Sequence, residues 1–191
     1  RAKNGVGLLI TGCAKVEHVV EPFAMPSQPN PTFNPTHFIQ SSIEMTERIH
    51  AYGSKIFLQM TFGFGRVVHP KTALKNPVAP SPVPNFWDPS ILCRELQTEE
   101  VEFLIEKFAE AALIARESGF DGIEVHAVHE GYLLDQFSMP LFNKRKDKFG
   151  GSLENRLRAP IDVLRRTKAI AGEDFPVMLR YGVRSYMKDL H

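Results

Sequence analysis

Four short apolar segments recur along the chain, at residues 6–10, 55–60, 123–126 and 177–181. Each is rich in Val, Ile, Leu or Phe and has the length of a β-strand. None shows the alternation of apolar and polar residues that marks a strand with one face in water. This pattern is typical of strands that are buried on both faces, as they are in parallel sheets.

Three stretches with helical periodicity lie between these segments. The clearest covers residues 98–117, where Thr98 is the expected N-cap, acidic residues fill the first turn, and Gly119 marks the end. Its expected buried face is formed by Val101, Leu104, Ile105, Phe108, Ala112 and Ala115.

The other two helical stretches cover residues 36–52 and 152–171. In the first, Ile39, Ile43 and Ile49 are the expected inward positions. The second contains Pro160, so it is either a kinked helix or a short turn followed by a helix with the proline in its first turn. The alternation of strands and helices predicts a parallel α/β domain.

Two long proline-rich segments, residues 22–35 and 67–97, have neither periodicity, and each follows a predicted strand. Ligands bind near the carboxyl ends of strands in α/β folds, and long loops in compact domains are usually functional. We expect both segments to be lids or binding loops.

The composition is that of an ordinary globular chain, with 191 residues, 43% hydrophobic and 24% charged residues, and a net charge of +1. This balance gives no basis for binding nucleic acid or an anionic membrane surface, and no apolar run has the length of a membrane span. Cys13 and Cys93 lack metal-ligand spacing and are expected to be reduced thiols in a cytoplasmic protein.

Polar residues stand at or near the carboxyl end of each apolar segment: Thr11 and Gly12, then Gln59, then His126, then Arg180. An unpaired buried polar group costs about 1–3 kcal/mol, so these residues would destabilise a core that served packing alone. Together they predict a polar ligand site at one rim. The alternative is that each is satisfied by the backbone of a neighbouring loop.

Glu124 lies two residues before His126 and therefore shares its face of the strand. A buried carboxylate needs a partner, and we expect a Lys or Arg on an adjacent strand, in a structural role.

The segment 126–137 places His126, His129 and Tyr132 just after the third apolar segment. A zinc site has to be weighed because Glu130 is close, but the HExxH spacing is absent and we predict no metal site. Imidazoles can donate hydrogen bonds to a substrate oxygen, and a phenol can supply a proton.

Three motifs are recognisable together: GFDGIEVH (119–126), GYLLDQF (131–137) and NKRKDKFGGSLENR (143–156). They resemble the signature of the Old Yellow Enzyme family of NAD(P)H:flavin oxidoreductases, and the resemblance extends over the whole chain. The HAVHEGYLL form resembles the branch of 2-enoate reductases, dienoyl-CoA reductases and bile-acid-modifying flavoenzymes. The run 143–156 is interpreted as a structural loop and helix start.

The resemblance implies an eight-stranded (β/α) TIM barrel that holds FMN at its carboxyl-end mouth. Residues 1–191 would form a partial FMN-binding barrel of about strands two to five, with the flanking strands and the phosphate-binding half outside the chain. Relatives of this branch can also carry an iron–sulfur cluster (4Fe-4S) and FAD, which would lie outside this chain. We expect residues 1–191 alone to bind FMN weakly or not at all.

The resemblance also implies roles for individual residues. Gln59 matches the glutamine at the pyrimidine edge of the flavin, Arg180 matches the arginine beside flavin N1, and Gly12 and Cys13 match the turn close to the ring system. His126 and His129 match the pair that binds the substrate oxygen, and Tyr132 matches the proton donor.

The implied reaction passes hydride from NAD(P)H through the flavin to the β-carbon of an activated alkene in an enoate, enone or dienoyl-type substrate. One residue more than the common spacing, Glu130, lies between His129 and Tyr132, and Lys146 stands where the motif usually has threonine. The expected partner is thus a small unsaturated carbonyl or carboxylate compound, and a homo-oligomer is allowed.

Three other readings stay open at this point. The same barrel and flavin could serve a dehydrogenase of an amine or a steroid-like ketone. The chain could be a non-catalytic fragment, although it keeps the whole set of site residues. A zinc hydrolase on the same barrel is the third.

Overall fold

The computed structural model describes residues 1–16, 19–22, 30–129 and 132–189. Its strands are β1 Leu8–Ile10, β2 Ala14–Lys15, β3 Lys55–Thr61, β4 Val78–Ala79, β5 Arg94–Glu95, β6 Gly122–Ala127 and β7 Val177–Tyr181. Its α-helices are α1 Pro35–His50, α2 Thr98–Glu117, α3 Leu133–Ser138, α4 Leu153–Arg156 and α5 Arg158–Ala171. No described helix is long and apolar enough to cross a membrane.

The four predicted strands form one parallel sheet in the order β1–β3–β6–β7. The helices that connect them pack on one face of this sheet, where Ile56, Leu58 and Met60 of β3 and Ile123 and Val125 of β6 enter the main hydrophobic core. Because side chains alternate along a strand, the other face carries the remaining positions, and it is on this face that the polar residues lie. The arrangement is a partial barrel wall, as expected.

Burial differs between the inner and outer strands of the sheet. β6 is buried along its whole length and β3 along all but its first residue, which confirms the prediction for these two strands. The prediction was wrong for β1 and β7, whose side chains are largely exposed. Within the described part of the chain these two strands form the edges of the sheet, so each has a neighbouring strand on one side only.

Strands β1 and β2 pair with the same edge of β3, and a β-bulge separates them. Ile10 pairs with Phe57 and Ala14 with Met60, so the edge strand uses one residue more than β3 over this interval. Bulges of this kind occur next to active sites because they redirect the chain locally. This bulge contains Gly12 and Cys13.

The three predicted long helices are present, with corrections at their ends and faces. Helix α2 has the predicted bounds, but its N-cap is Gln97 rather than Thr98, and the backbone N–H of Gln97 donates to the Glu100 carboxylate at 2.8 Å. The segment 152–171 is a short turn, α4, followed by α5 with Pro160 in its first turn, which was one of the two alternatives.

Helix α1 turns a different face inward than expected. The buried positions are Phe38, Ser42 and Thr46, whereas Ile43 is exposed; of the three predicted inward residues, Ile49 packs against the core. Thr46 Oγ1 donates to the carbonyl oxygen of Ser118 at 3.2 Å, so a polar contact with the end of α2 fixes this face.

The loop 67–97 is not free of strands, because β4 and β5 pair in parallel within it. Ala79, Val83, Cys93 and Phe142 form a small second core beneath this loop. Half of the loop 22–35, residues 23–29, lies outside the described residues, and its last residue, Pro35, opens α1.

Candidate active site

One row of side chains crosses the polar face of the sheet at its carboxyl end. In the strand register, His126 of β6 pairs with Thr61 of β3 on one side and with Arg180 of β7 on the other. Lys15 of β2 pairs with Thr61 and continues the row. Parallel strands in register place these side chains on the same face, so the rim predicted from the sequence is a real juxtaposition.

A second row of polar side chains lies two residues earlier along β3 and β6, farther from the carboxyl end of the sheet. Gln59 pairs with Glu124, and the Gln59 Nε2 donates to Glu124 Oε1 at 2.5 Å. The expectation of a Lys or Arg partner for Glu124 was therefore wrong, because an amide on the adjacent strand takes that position. Both side chains are buried, at 7% exposure each.

The bulge between β1 and β2 brings Cys13 to this rim. Thr11 accepts the backbone N–H of Gln59 through Oγ1 at 3.0 Å, which ties the bulge to β3. Burial, together with the nearby Glu124 carboxylate, raises the pKa of the Cys13 thiol to about 12, although Arg180 acts in the opposite direction. Cys13 and Cys93 are both free, and the pKa of Cys93 is likewise raised to about 12 by burial. Both thiols are therefore protonated at neutral pH.

The two predicted histidines form a pair. His126 Nε2 and His129 Nδ1 are 3.0 Å apart, and the ring centroids are 4.8 Å apart. His126 is buried, whereas His129 is exposed on the loop that follows β6. His129 has φ of 78° and is the one non-glycine residue in the left-handed region among the described residues. Such a conformation is uncommon for a histidine and is often found at functional sites.

The charge state of His126 follows from its surroundings. Burial is the largest influence, followed by the neighbouring His129 and Arg180, and together they lower the pKa of His126 to about 4. The imidazole is therefore neutral at physiological pH. Its Nδ1 has no hydrogen-bond partner within the described part of the chain.

Tyr132 completes the cluster of predicted site residues. Its ring centroid lies 4.4 Å from that of His126 and 6.1 Å from that of His129. Burial and the nearby Cys13 raise the pKa of the Tyr132 phenol, so it keeps its proton at neutral pH. Glu130, the additional residue in this segment, lies outside the described residues.

A buried carboxylate that the sequence analysis missed holds the turn after β3. Glu21 accepts the backbone N–H groups of Phe64 at 2.9 Å and Gly65 at 2.5 Å, and Lys15 Nζ lies 3.8 Å from its carboxylate. The Phe64 ring in turn packs against Tyr132, with centroids 5.4 Å apart. The only sequence signal was a pair of charged residues, Lys15 and Glu21, beside apolar ones.

The same turn is joined to α3. Gln136 Nε2 donates to the carbonyl oxygen of Phe64 at 3.2 Å, and Leu133 N donates to the carbonyl oxygen of Gly63 at 3.0 Å. Tyr132 is the N-cap residue of α3, so these bonds fix the position from which its side chain projects. The motif 131–137 was recognised in the sequence without a role for Gln136.

The whole chain, residues 1–191, matches the family model described as NADH:flavin oxidoreductase / NADH oxidase family. The chain belongs to this family. The resemblance to Old Yellow Enzyme is confirmed by a solved structure of Old Yellow Enzyme from a Pichia species, which superposes with a TM-score of 0.77 at 27% identity, over 94% of this chain and 48% of that one.

Two curated relatives match almost all of the chain. It is 55% identical over 189 residues to a cinnamate reductase of Clostridium sporogenes, covering 99% of this chain and 28% of the relative. It is 38% identical over 189 residues to an NADH oxidase of Thermoanaerobacter brockii, covering 98% and 28%. The chain thus spans little more than a quarter of the length of these relatives.

Three features of the site are compatible with bound FMN. A Cβ atom built on Gly12 meets no atom within 4 Å, so the bulge leaves open space beside Gln59. Arg180 is exposed and forms no ion pair with any described residue, so its charge is available to an anion. Gln59 uses its amide N–H₂ on Glu124, which leaves its carbonyl oxygen to accept an imide N–H.

The run 143–156 has contacts that stabilise loops. Asn143 Nδ2 donates to the carbonyl oxygens of Phe137 and Phe149, both at 2.7 Å. Arg145 is buried and donates to the carbonyl oxygen of Pro80 at 3.0 Å and to Asp147. These bonds agree with the structural interpretation of this run.

Proposed function

We propose that the protein to which this chain belongs is an FMN-dependent ene-reductase, which uses NAD(P)H to reduce a C=C bond conjugated to a carbonyl or carboxylate group. The observation that carries the proposal is the histidine pair beside Tyr132, with His126 in the same row as Arg180, which forms no ion pair with the described residues. Family membership and the similarity to a cinnamate reductase support it. When bound, FMN would accept hydride from NAD(P)H and deliver it to the alkene.

Four residues would hold FMN. Arg180 would place its guanidinium beside the pyrimidine side of the ring system, where it stabilises the negative charge of the reduced form. Gln59 would accept a hydrogen bond from the ring imide. Gly12 and Cys13 would let the backbone of the bulge approach the ring system, since Gly12 has no side chain and the Cys13 thiol is uncharged.

His126 and His129 would bind the oxygen of the substrate. The hydrogen bond between the two rings requires one proton between His126 Nε2 and His129 Nδ1. If His126 donates that proton, His129 carries its own proton on Nε2 and can donate it to the substrate oxygen. A hydrogen bond donated in this way would stabilise the negative charge that develops on an enolate oxygen.

Tyr132 would deliver the proton to the α-carbon. Its phenol remains protonated because burial raises its pKa, and its ring lies directly against His126.

The two free thiols, Cys13 and Cys93, also support a reducing, cytoplasmic environment for the protein.

The test uses the full-length enzyme under anaerobic conditions and follows NAD(P)H oxidation with a simple enoate as acceptor. We expect His129→Ala to lower kcat roughly 100-fold, the usual cost of removing one donor to a developing oxyanion. His37→Ala, which removes an exposed histidine on α1, is the matched control and should have no effect.

Two outcomes would contradict the proposal. One is enoate-dependent oxidation of NAD(P)H that is the same in His129→Ala and in the wild type. The other is a protein that ignores enoates but oxidises a secondary amine, which would favour the dehydrogenase alternative on the same barrel.

A further inference from the structure

A cleft of about 470 Å³ opens beside the substrate-facing residues His129 and Tyr132, which form part of its wall. Ligand-binding pockets usually have volumes of about 300–1,000 Å³ and are mostly apolar. The rest of this cleft is formed chiefly by the turn after β3 and by the loop 67–97, through Phe64, Phe86 and Trp87. A molecule whose oxygen contacts His129 therefore has an aromatic cavity within reach.

The aromatic wall is held by several hydrogen bonds. Trp87 Nε1 donates to the carbonyl oxygen of Val67 at 2.8 Å, and the backbone N–H of Phe86 donates to the carbonyl oxygen of Arg66 at 2.9 Å. Asn85 is fully buried. Its side-chain Nδ2 donates to the carbonyl oxygens of Arg66 and Val68, and its Oδ1 accepts the backbone N–H of Trp87. A wall fixed in this way loses little conformational freedom when a ligand binds.

The rings in this wall are exposed although they are large and apolar. Trp87 is 57% exposed and Phe86 53% exposed, and the two rings meet edge to face with centroids 5.2 Å apart. Elsewhere in the lining of the same cleft, Phe64 packs against Tyr132. Covering such rings with a planar group removes apolar surface from water and adds ring–ring contacts.

The charge that lines the cleft is already engaged. The Arg66 guanidinium lies 5.7 Å from the Phe86 ring centroid and 5.1 Å from that of Phe142, and its Nε donates to the carbonyl oxygen of Pro84. These contacts hold the Arg66 side chain against Phe86 and so restrict the movement of the aromatic wall. The rest of the lining is largely aromatic and aliphatic, with His69 and Thr72 as polar residues at the cleft.

We infer that this cleft is the subsite for a planar aromatic group carried by the substrate, so that the enzyme acts on alkenes conjugated to an aryl ring. The inference rests on the proposed function, because it takes His129 and Tyr132 as the residues that face the reacting part of the substrate. The aryl ring would lie between the Phe64–Tyr132 pair and the Phe86–Trp87 pair. Its selectivity would come from ring contacts rather than from charge.

The test compares two ligands that share a carboxylate and differ in one group, phenylpropanoate and butanoate. Their binding to the full-length enzyme is measured by titration calorimetry, which requires no turnover. We expect Trp87→Ala to weaken phenylpropanoate binding roughly 3- to 10-fold and to leave butanoate binding unchanged. Phe86→Ala should act in the same direction, and Trp87→Phe should recover most of the loss because it keeps a ring.

Tyr52→Ala is the matched control. Tyr52 has the same 57% exposure as Trp87 but follows α1, at the amino end of β3 and therefore at the opposite end of the sheet from the site. This variant should bind both ligands as the wild type does. A loss in Trp87→Ala that is absent in Tyr52→Ala is then specific to the cleft.

The inference is overturned if Trp87→Ala weakens both ligands equally, if it weakens neither, or if the wild type prefers butanoate. Steady-state reduction of the matching phenyl-substituted and methyl-substituted enoates separates this failure from that of the proposed function. An enzyme that reduces both alkenes with equal efficiency keeps the proposed function and loses the aryl subsite. An enzyme that binds phenylpropanoate through Trp87 but reduces neither alkene keeps the subsite and loses the proposed reaction.

Discussion

Lowering the pH from about 7.5 to about 5.5 should leave the His126 imidazole uncharged, although an ordinary histidine becomes largely protonated over this interval. The reason is structural. His126 is 2% exposed on a strand that is buried on both faces, and it faces His129 and Arg180. Burial removes the water that would stabilise an imidazolium, and Arg180 repels it.

The size of the effect follows from the pKa of His126, which is lowered from 6.5 to about 4. At about pH 5.5, roughly 3% of His126 would then be protonated, compared with roughly 90% of an unperturbed histidine. The displacement corresponds to about 3 kcal/mol in the balance between the two protonation states.

The same displacement has a consequence for stability. Between pH 6.5 and about 4 the unfolded chain binds a proton at His126 that the folded chain does not. The contribution of a neutral His126 is therefore fully present above pH 6.5 and is lost as the pH falls towards 4, up to a limit of about 3 kcal/mol. The folded protein therefore begins to lose stability at pH values at which His126 itself is still neutral in the native state.

The assay is NMR of the full-length protein with histidine labelled at Cε1, in which His126 is assigned as the resonance that is missing in His126→Gln. We expect this resonance to stay at its neutral position down to about pH 5, while the same label in the urea-unfolded protein titrates near pH 6.5. A native His126 that titrates with a midpoint between about 6 and 7 would refute the reasoning. It would mean that water reaches the ring, or that a carboxylate compensates its charge.

Four further outcomes can be checked. His129→Asn should keep far more enoate reduction than His129→Ala, since asparagine tolerates the left-handed conformation at φ 78° and can donate a hydrogen bond; equal rates would contradict this. Tyr132→Phe should lower kcat for enoate reduction at least roughly 100-fold while leaving KM nearly unchanged, and a wild-type kcat would contradict the role given to Tyr132. Arg180→Ala should make the flavin reduction potential more negative in an anaerobic redox titration, and an unchanged potential would rule out the role given to Arg180. Glu21→Gln should lower the free energy of unfolding by about 1–3 kcal/mol in urea denaturation, because charge-assisted bonds to two backbone N–H groups become neutral ones.

Much of the fold could be predicted from the sequence because its main elements have local signals. The apolar segments become β1, β3, β6 and β7, and the bounds of α2 follow from the periodicity of its apolar residues. The prediction of the buried face of α1 was wrong because an apolar pattern favours isoleucine over threonine at inward positions. The choice between Ile43 and Thr46 depends on a hydrogen bond to the Ser118 carbonyl, which is distant in sequence.

The candidate site could be predicted in part for the same reason. His126 and Arg180 stand at the carboxyl ends of recognisable strands, so their meeting follows from parallel pairing once the register is known. Predicting the Gln59–Glu124 hydrogen bond requires the strand register, which the sequence does not contain. The prediction of a charged partner for Glu124 was therefore wrong. The left-handed backbone of His129 has no sequence signal either, because such conformations are expected at glycine.

The least predictable parts of the site are those in which a loop side chain supports another loop. Glu21 reaches the turn after β3 from a separate segment, and the bulge between Ile10 and Ala14 exists only by comparison with the register of β3. The aromatic residues Phe86 and Trp87 lie in a proline-rich stretch without periodicity. They line the same cleft as Tyr132, and their loop also contributes Val83 and Cys93 to the small second core.

This division of labour has a consequence for how the site can change. The oxygen-binding pair comes from β6 and its following loop, whereas the aromatic cleft comes from the segment 64–87 after β3. The two parts are joined by Gln136, which donates to the Phe64 carbonyl oxygen, and by Glu21, which accepts the Phe64 backbone N–H. Substitutions at Phe86 or Trp87 can therefore alter which substituent fits without moving His126 or His129. Substitutions at Glu21 or Gln136 act on both parts at once, because they shift the turn on which Tyr132 rests.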